Sequence, residues 1–159
     1  MQHNHKFRRL DDGSIEIEVA LRGRNLLSDG LLNKSTAFTH EERNQFGLNG
    51  LIPNAVSSMD QQLQRIYRSI VGKESPLEKF IGLAALQARN ETLFYRLLLE
   101  HIEEMLPIVY TPTVGEATKH FSQIYRIPRG IWITTSDIAC NDADLHNTDL
   151  PETKHIVVT

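Results

Sequence analysis

Apolar residues recur at helical spacing between residues 39 and 127, which predicts a series of helices through the middle of the chain. Capping boxes mark predicted helix starts at Thr39, Ser75 and Thr113, because each residue is followed three positions later by glutamate. The strongest apolar stripe runs over residues 90–106, and Pro107 follows it. We therefore expect one helix over this stretch that ends at the proline, which cannot continue it.

Strand-like patterns lie towards the two ends of the chain. Residues 14–21, SIEIEVAL, alternate apolar and acidic side chains as a half-buried strand does. Residues 131–135 (IWITT) and 155–159 (HIVVT) are typical of short strands, and a polar segment separates them in the order of a parallel sheet. The predicted fold is therefore mainly α: a helical N-terminal domain followed by the first strands of an α/β parallel-sheet domain.

The composition mainly excludes classes of protein. The chain has 159 residues, 40% of them hydrophobic and 23% charged, and its net charge of −3 comes with no basic stripe for nucleic acid. No apolar run approaches the roughly 20 residues of a membrane span, and the N-terminus lacks the apolar core of a signal peptide. The single cysteine, Cys140, fits a reducing compartment. We expect a cytoplasmic protein without a membrane or nucleic-acid partner.

The segment PIVYTPTVGEA, residues 107–117, places Tyr110 where an apolar run meets a cluster of turn residues. A tyrosine in such a position is usually a packed ring with its hydroxyl at the edge of the core. The alternative is a proton donor, since a phenol titrates near ~10 and keeps its proton at neutral pH. The following helix start would then offer amides and a positive dipole end to the phenolate, and Gly115 would allow close backbone approach.

Three segments together resemble the N-terminal part of malic enzymes: LLNKSTAFTHEERNQFGLNGLIP, QARNETLFYRLLLEHIEEMLPIVYTPTVGEA and FSQIYRIPRGIWITTSD. The resemblance runs from about Arg22 to Thr159 and is most specific around LPIVYTPTVGEA. It implies an N-terminal extension over residues 1–21, a helical malic enzyme domain over 22–128 and the truncated start of an α/β domain over 129–159.

The resemblance implies oxidative decarboxylation of L-malate to pyruvate and CO2. It favours NAD over NADP and implies Mg2+ or Mn2+, with cofactor and metal held by parts of the enzyme beyond this chain. In the family the tyrosine of the Tyr-Thr-Pro-Thr-Val-Gly motif is the general acid that protonates enolpyruvate, which here is Tyr110. The resemblance also implies a homo-oligomer, dimer or tetramer, and an isolated chain that is inactive.

Arg65 and Arg89 match positions that bind the activator fumarate in some malic enzymes. Guanidinium groups suit a dicarboxylate, because each can bind a carboxylate with two hydrogen bonds. The responsive enzymes also use an acidic residue near position 57, where this chain has Ser57. Structural ion pairs on helices are therefore an equally good interpretation of the two arginines.

Two other functions remain open. Malolactic enzymes share these motifs but convert malate to lactate and CO2. A standalone interaction module without chemistry is the third interpretation. The sequence shows no clustered metal ligands and no glycine-rich phosphate loop, so no metal-binding or cofactor-binding residue is assigned.

Overall fold

The computed structural model describes residues 5–125, 127–128 and 130–135, and the chain divides into two compact units, 1–124 and 125–159. The first unit is mostly helical, which confirms the predicted fold class. In the second unit, residues 131–134 have no regular secondary structure, so the strand predicted there is not formed. A parallel strand needs a neighbour for its backbone hydrogen bonds, and the predicted partner at 155–159 lies outside the described residues.

The first unit begins with an antiparallel hairpin of β1 (His5–Arg9) and β2 (Ile15–Val19). The alternation of residues 14–21 predicted β2, while β1 was not predicted. The register places Lys6 opposite Glu18 and Arg8 opposite Glu16, so opposite charges face each other across the strands.

Buried apolar side chains of the segment that follows the hairpin form a small core. Helix α1 (Gly23–Ser28) was not predicted, and a 3₁₀ turn (Ser35–Ala37) leads into α2 (His40–Phe46). Thr39 and Glu42 form the predicted capping box, and Gly47 ends α2 in the left-handed conformation. The buried apolar residues of this core are Leu26, Leu32, Phe38 and Leu48.

The larger core is built by the remaining helices. These are α3 (Met59–Val71), α4 (Pro76–Arg89), α5 (Glu91–Glu100), α6 (Ile102–Val109), α7 (Thr113–Lys119) and α8 (Phe121–Ile124). The Ser75–Glu78 capping box is confirmed, and Ser58 with Gln61 forms a further box at the start of α3. The buried apolar residues are Leu63, Ile70, Leu83, Leu86, Leu93, Phe94, Leu97, Met105 and Ile108.

The helix predicted over residues 90–106 is two helices. His101 leaves helical geometry (φ −132°, ψ 38°) and separates α5 from α6, while its ring stacks on Tyr67 with 3.9 Å between centroids. Pro107 lies inside α6 rather than after it. Met105 and Ile108 of α6 lie in the same core as the buried residues of α5.

Candidate functional sites

Tyr110 follows directly after α6, and its backbone is held on both sides. Its N–H donates to the Leu106 carbonyl at 2.9 Å, and its own carbonyl accepts from the Val114 N–H at 2.9 Å. The residue therefore bridges α6 and the first turn of α7. Its position along the chain is as the sequence indicated, at the junction of two elements.

The Tyr110 side chain is 66% exposed, so it is not a ring sealed in the core. Its hydroxyl makes no hydrogen bond to another residue in the part of the chain that the structure describes. The packed-ring interpretation does not describe this geometry. A phenol on a fixed backbone, open to an approaching molecule, is chemically able to donate a proton.

The capping box predicted at Thr113 is not formed. Helix α7 begins with Thr113 as its first residue, and the Thr113 hydroxyl donates to the Pro107 carbonyl at 2.8 Å. That carbonyl lies in the last turn of α6, where helix carbonyls have no partner within the helix. Thr113 is 3% exposed, so its side chain ties α7 to α6 instead of capping α7.

The role expected for Gly115 also differs. A Cβ atom built on Gly115 would meet nothing within 4 Å among the described residues, and its φ is not in the left-handed range. No close approach within the described structure requires glycine here. Thr113 and the backbone bonds of Tyr110 hold this loop instead.

Arg65 and Arg89 line one cavity of about 220 Å³. Arg65 projects from α3, and Arg89 is the last residue of α4. The other lining residues come from the 33–36 segment and from α3 and the start of α5: Asn33, Ser35, Thr36, Gln62, Ile66, Asn90 and Leu93. The fold thus brings together two arginines that are 24 positions apart in the sequence.

Neither of these arginines forms an ion pair with a carboxylate within the described ranges. Arg65 Nη1 donates to the Ser57 hydroxyl at 3.3 Å, so its partner there is neutral. Structural ion pairing, the plainer interpretation of the two arginines, is not what this geometry shows. The cavity has positive charge that an anion could neutralise.

Three further residues of this cavity had no assigned role in the sequence. Thr36 Oγ1 and Asn90 Nδ2 are buried side-chain atoms without a hydrogen-bond partner among the described residues. Ser35, with φ 53°, has the left-handed conformation that residues other than glycine rarely adopt. The asparagine that opens the segment NETLF was a local signal for a helix cap, but its place in a cavity was not visible.

No group of three or more His, Cys, Asp or Glu side chains that could hold a metal occurs among the described residues. Nor is any described helix long and apolar enough to cross a membrane.

Comparisons with known proteins consistently find malic enzymes. Residues 87–159 match the family described as "Malic enzyme, N-terminal domain". The chain is 50% identical over 141 residues to NAD-dependent malic enzymes of Idiomarina loihiensis and of Edwardsiella ictaluri. In each case the match covers 89% of this chain and 25% of the relative, so the chain spans about a quarter of the length of these curated relatives.

Proposed function

The chain belongs to the malic enzyme family, and on this premise we propose that it is the N-terminal part of an enzyme that oxidatively decarboxylates L-malate to pyruvate and CO2. NAD is the proposed oxidant, because the relatives at 50% identity are named NAD-dependent malic enzymes. A divalent metal, Mg2+ or Mn2+, is proposed to be held by segments other than those described here, since these offer no metal-ligand cluster.

The proposed organisation of the protein is an extension over residues 1–21, a helical domain over 22–128 and the start of an α/β domain over 129–159. We propose a cytoplasmic homo-oligomer that takes L-malate as its substrate. We also propose that the 159-residue chain alone shows no malate-dependent turnover, because it spans only about a quarter of the length of the malic enzymes it is similar to.

Tyr110 is the proposed general acid. Loss of CO2 leaves an enolate of pyruvate, and the Tyr110 hydroxyl gives its proton to the methylene carbon, which becomes the methyl group of pyruvate. The phenolate that remains is reprotonated from solvent. The single observation that carries this role is the 66% exposure of a ring whose backbone is hydrogen-bonded to both α6 and α7.

A Tyr110→Phe substitution in the complete enzyme tests this role. Turnover of malate should fall by about 10²–10⁴-fold, because a positioned general acid typically contributes that much. Exchange of the pyruvate methyl protons in D2O, followed by NMR, should fall in parallel because it requires only the proton-transfer step. The apparent affinity for malate and the melting temperature should stay nearly unchanged.

Tyr95→Phe is the matched control, since Tyr95 is also an exposed tyrosine, on α5 and outside the motif. It should retain full turnover. Methyl exchange by Tyr110→Phe at the wild-type rate would contradict the general-acid role.

The same assays separate the alternative functions. Wild-type enzyme that releases lactate without NADH would identify a malolactic enzyme. Complete protein without any turnover would favour the non-catalytic module.

A second proposal concerns the cavity between α3, α4 and the 33–36 segment. We propose that Arg65 and Arg89 bind a fumarate-like dicarboxylate effector there. The support is that both guanidinium groups line one cavity of about 220 Å³ and that neither is paired with a carboxylate in the described structure. Near position 57, where the fumarate-responsive enzymes use an acidic residue, Arg65 here donates to the neutral Ser57 hydroxyl at 3.3 Å.

Titration of the chain with fumarate, followed by the melting temperature, tests the effector site. A ligand that binds the folded state raises the melting temperature with concentration. Arg65→Gln and Arg89→Gln should each weaken binding by about tenfold or more, because hydrogen bonds to charged groups contribute ~1.5–3 kcal/mol. Arg68→Gln, one turn along α3 and outside the cavity, should bind as wild type does. Equal binding by all variants would refute the site.

A further inference from the structure

The two buried side-chain atoms without partners in the described part of the chain belong to residues that line the same cavity. They are Thr36 Oγ1 and Asn90 Nδ2. Buried polar groups in native proteins nearly always have a hydrogen-bond partner, so an unpaired one calls for a missing water or ligand. Both atoms lie at one cavity with two arginines that form no ion pair among the described residues, and this arrangement suits a ligand with several acceptor atoms.

Asn90 has little freedom to find another partner. It is 3% exposed, its N–H donates to the Leu86 carbonyl at 2.8 Å, and its Oδ1 accepts from the Leu93 N–H at 2.9 Å. Because Oδ1 is held by a donor, the amide cannot turn over, and Nδ2 must stay on the opposite side. The two N–H groups of Nδ2 are therefore held in a fixed orientation without an acceptor among the described residues.

We infer that Asn90 is a specificity-determining residue of the dicarboxylate site, with its amide donating to a carboxylate held by Arg65 and Arg89. This inference rests on the proposed effector site and adds a neutral donor to its two cations. A carboxylate offers about four lone-pair positions, enough for a guanidinium and an amide together. Thr36 supplies a further hydroxyl at the same wall.

The position of Asn90 gives this contact a structural consequence. Asn90 is both the C-cap of α4 and the N-cap of α5. Since Nδ2 is shielded from solvent, a ligand reaches it only after a small shift of the cavity lining. Ser35, with its strained φ of 53°, is part of that lining. Binding is thereby linked to the geometry of the α4–α5 junction.

Asn90→Asp tests the inference, because aspartate is as good an N-cap as asparagine but has no amide donor. Isothermal titration of the chain with fumarate, at constant ionic strength, should show binding at least about 10–100-fold weaker than wild type, from the lost donor and the added negative charge. Asn90→Ser keeps a capping oxygen without that charge and should weaken binding by about tenfold. Far-ultraviolet circular dichroism should show the helices retained in both.

The outcomes separate the two proposals. Wild type that binds fumarate, with both Asn90 variants binding equally well, overturns the role of Asn90 and leaves the arginine site standing. Wild type that shows no saturable binding overturns the effector site and the inference together. If fumarate binding is weaker in Asn90→Asp but unchanged in Asn90→Ser, the role of Asn90 as a donor is also overturned. Charge repulsion, and not the missing donor, would then explain the weaker binding.

Discussion

At the scale of single residues, Arg43 shows how a charged side chain can be almost fully buried when its donors are satisfied. It is 2% exposed, and its guanidinium donates to five backbone carbonyls, those of Phe38, Pro53, Asn54, Thr36 and Ala55. In the sequence HEERNQF it is one of several polar residues of a short helix. Its five donors match the number of carbonyls, so it organises the loops on both sides of α2.

Arg43→Lys should lower the free energy of unfolding by about 2–4 kcal/mol. An ammonium group has three donors and cannot reach all five carbonyls, so buried acceptors are left unpaired. Urea unfolding of the chain at neutral pH measures the change. Arg68→Lys, on the exposed side of α3, should change stability by less than about 0.5 kcal/mol. If Arg43→Lys also lowered the unfolding free energy by less than about 0.5 kcal/mol, water would have to replace the missing donors.

At the scale of elements, local signals predicted helix starts well where nothing else competed for the capping side chain. Thr39 and Ser75 cap their helices as predicted, while the Thr113 hydroxyl turned instead to the Pro107 carbonyl in α6. The helix predicted over 90–106 is divided at His101, whose ring stacks on Tyr67 of α3. In both errors a contact with another helix outweighed a pattern along the chain.

The capping box of α2 predicts a dependence of stability on pH. Burial raises the pKa of Glu42, but the hydrogen bond from Lys34 at 2.5 Å and that from the Thr39 N–H outweigh it and hold the pKa below its ordinary value. The folded state therefore gains stability from ionised Glu42 above pH ~4.5, and loses it as the pH falls through the lowered pKa. Because the pair is partly exposed, the contribution is expected to be only about 0.5 kcal/mol.

Glu42→Gln checks this sign, since glutamine can still accept the capping bond but does not titrate. Its unfolding free energy should be slightly lower than that of wild type at pH 7 and should decline less between pH 5 and pH 3. Urea unfolding across that range gives both curves. Parallel curves for the two proteins would contradict the assignment.

At the scale of the whole molecule, the cavity lined by Arg65 and Arg89 depends on how residues 29–36 pack against the α4–α5 junction. Asn33 Nδ2 donates to the Leu27 and Arg89 carbonyls, and the Glu91 N–H donates to the Gly30 carbonyl. A Cβ atom at Gly30 would lie 2.6 Å from the Ala88 carbonyl oxygen, so only glycine permits this approach. The segment thus joins the smaller core to the larger one and forms one wall of the cavity.

The sequence by itself determined the helical character of the chain, two of the capping boxes, the strand of residues 15–19 and the position of Tyr110 at a junction. These features depend on residues within about four positions of each other, so a local pattern encodes them. The tertiary structure alone decided the burial of Arg43, the break at His101 and the meeting of Ser35, Arg65 and Asn90 at one cavity. Those depend on packing between segments far apart in the chain, which no local pattern records.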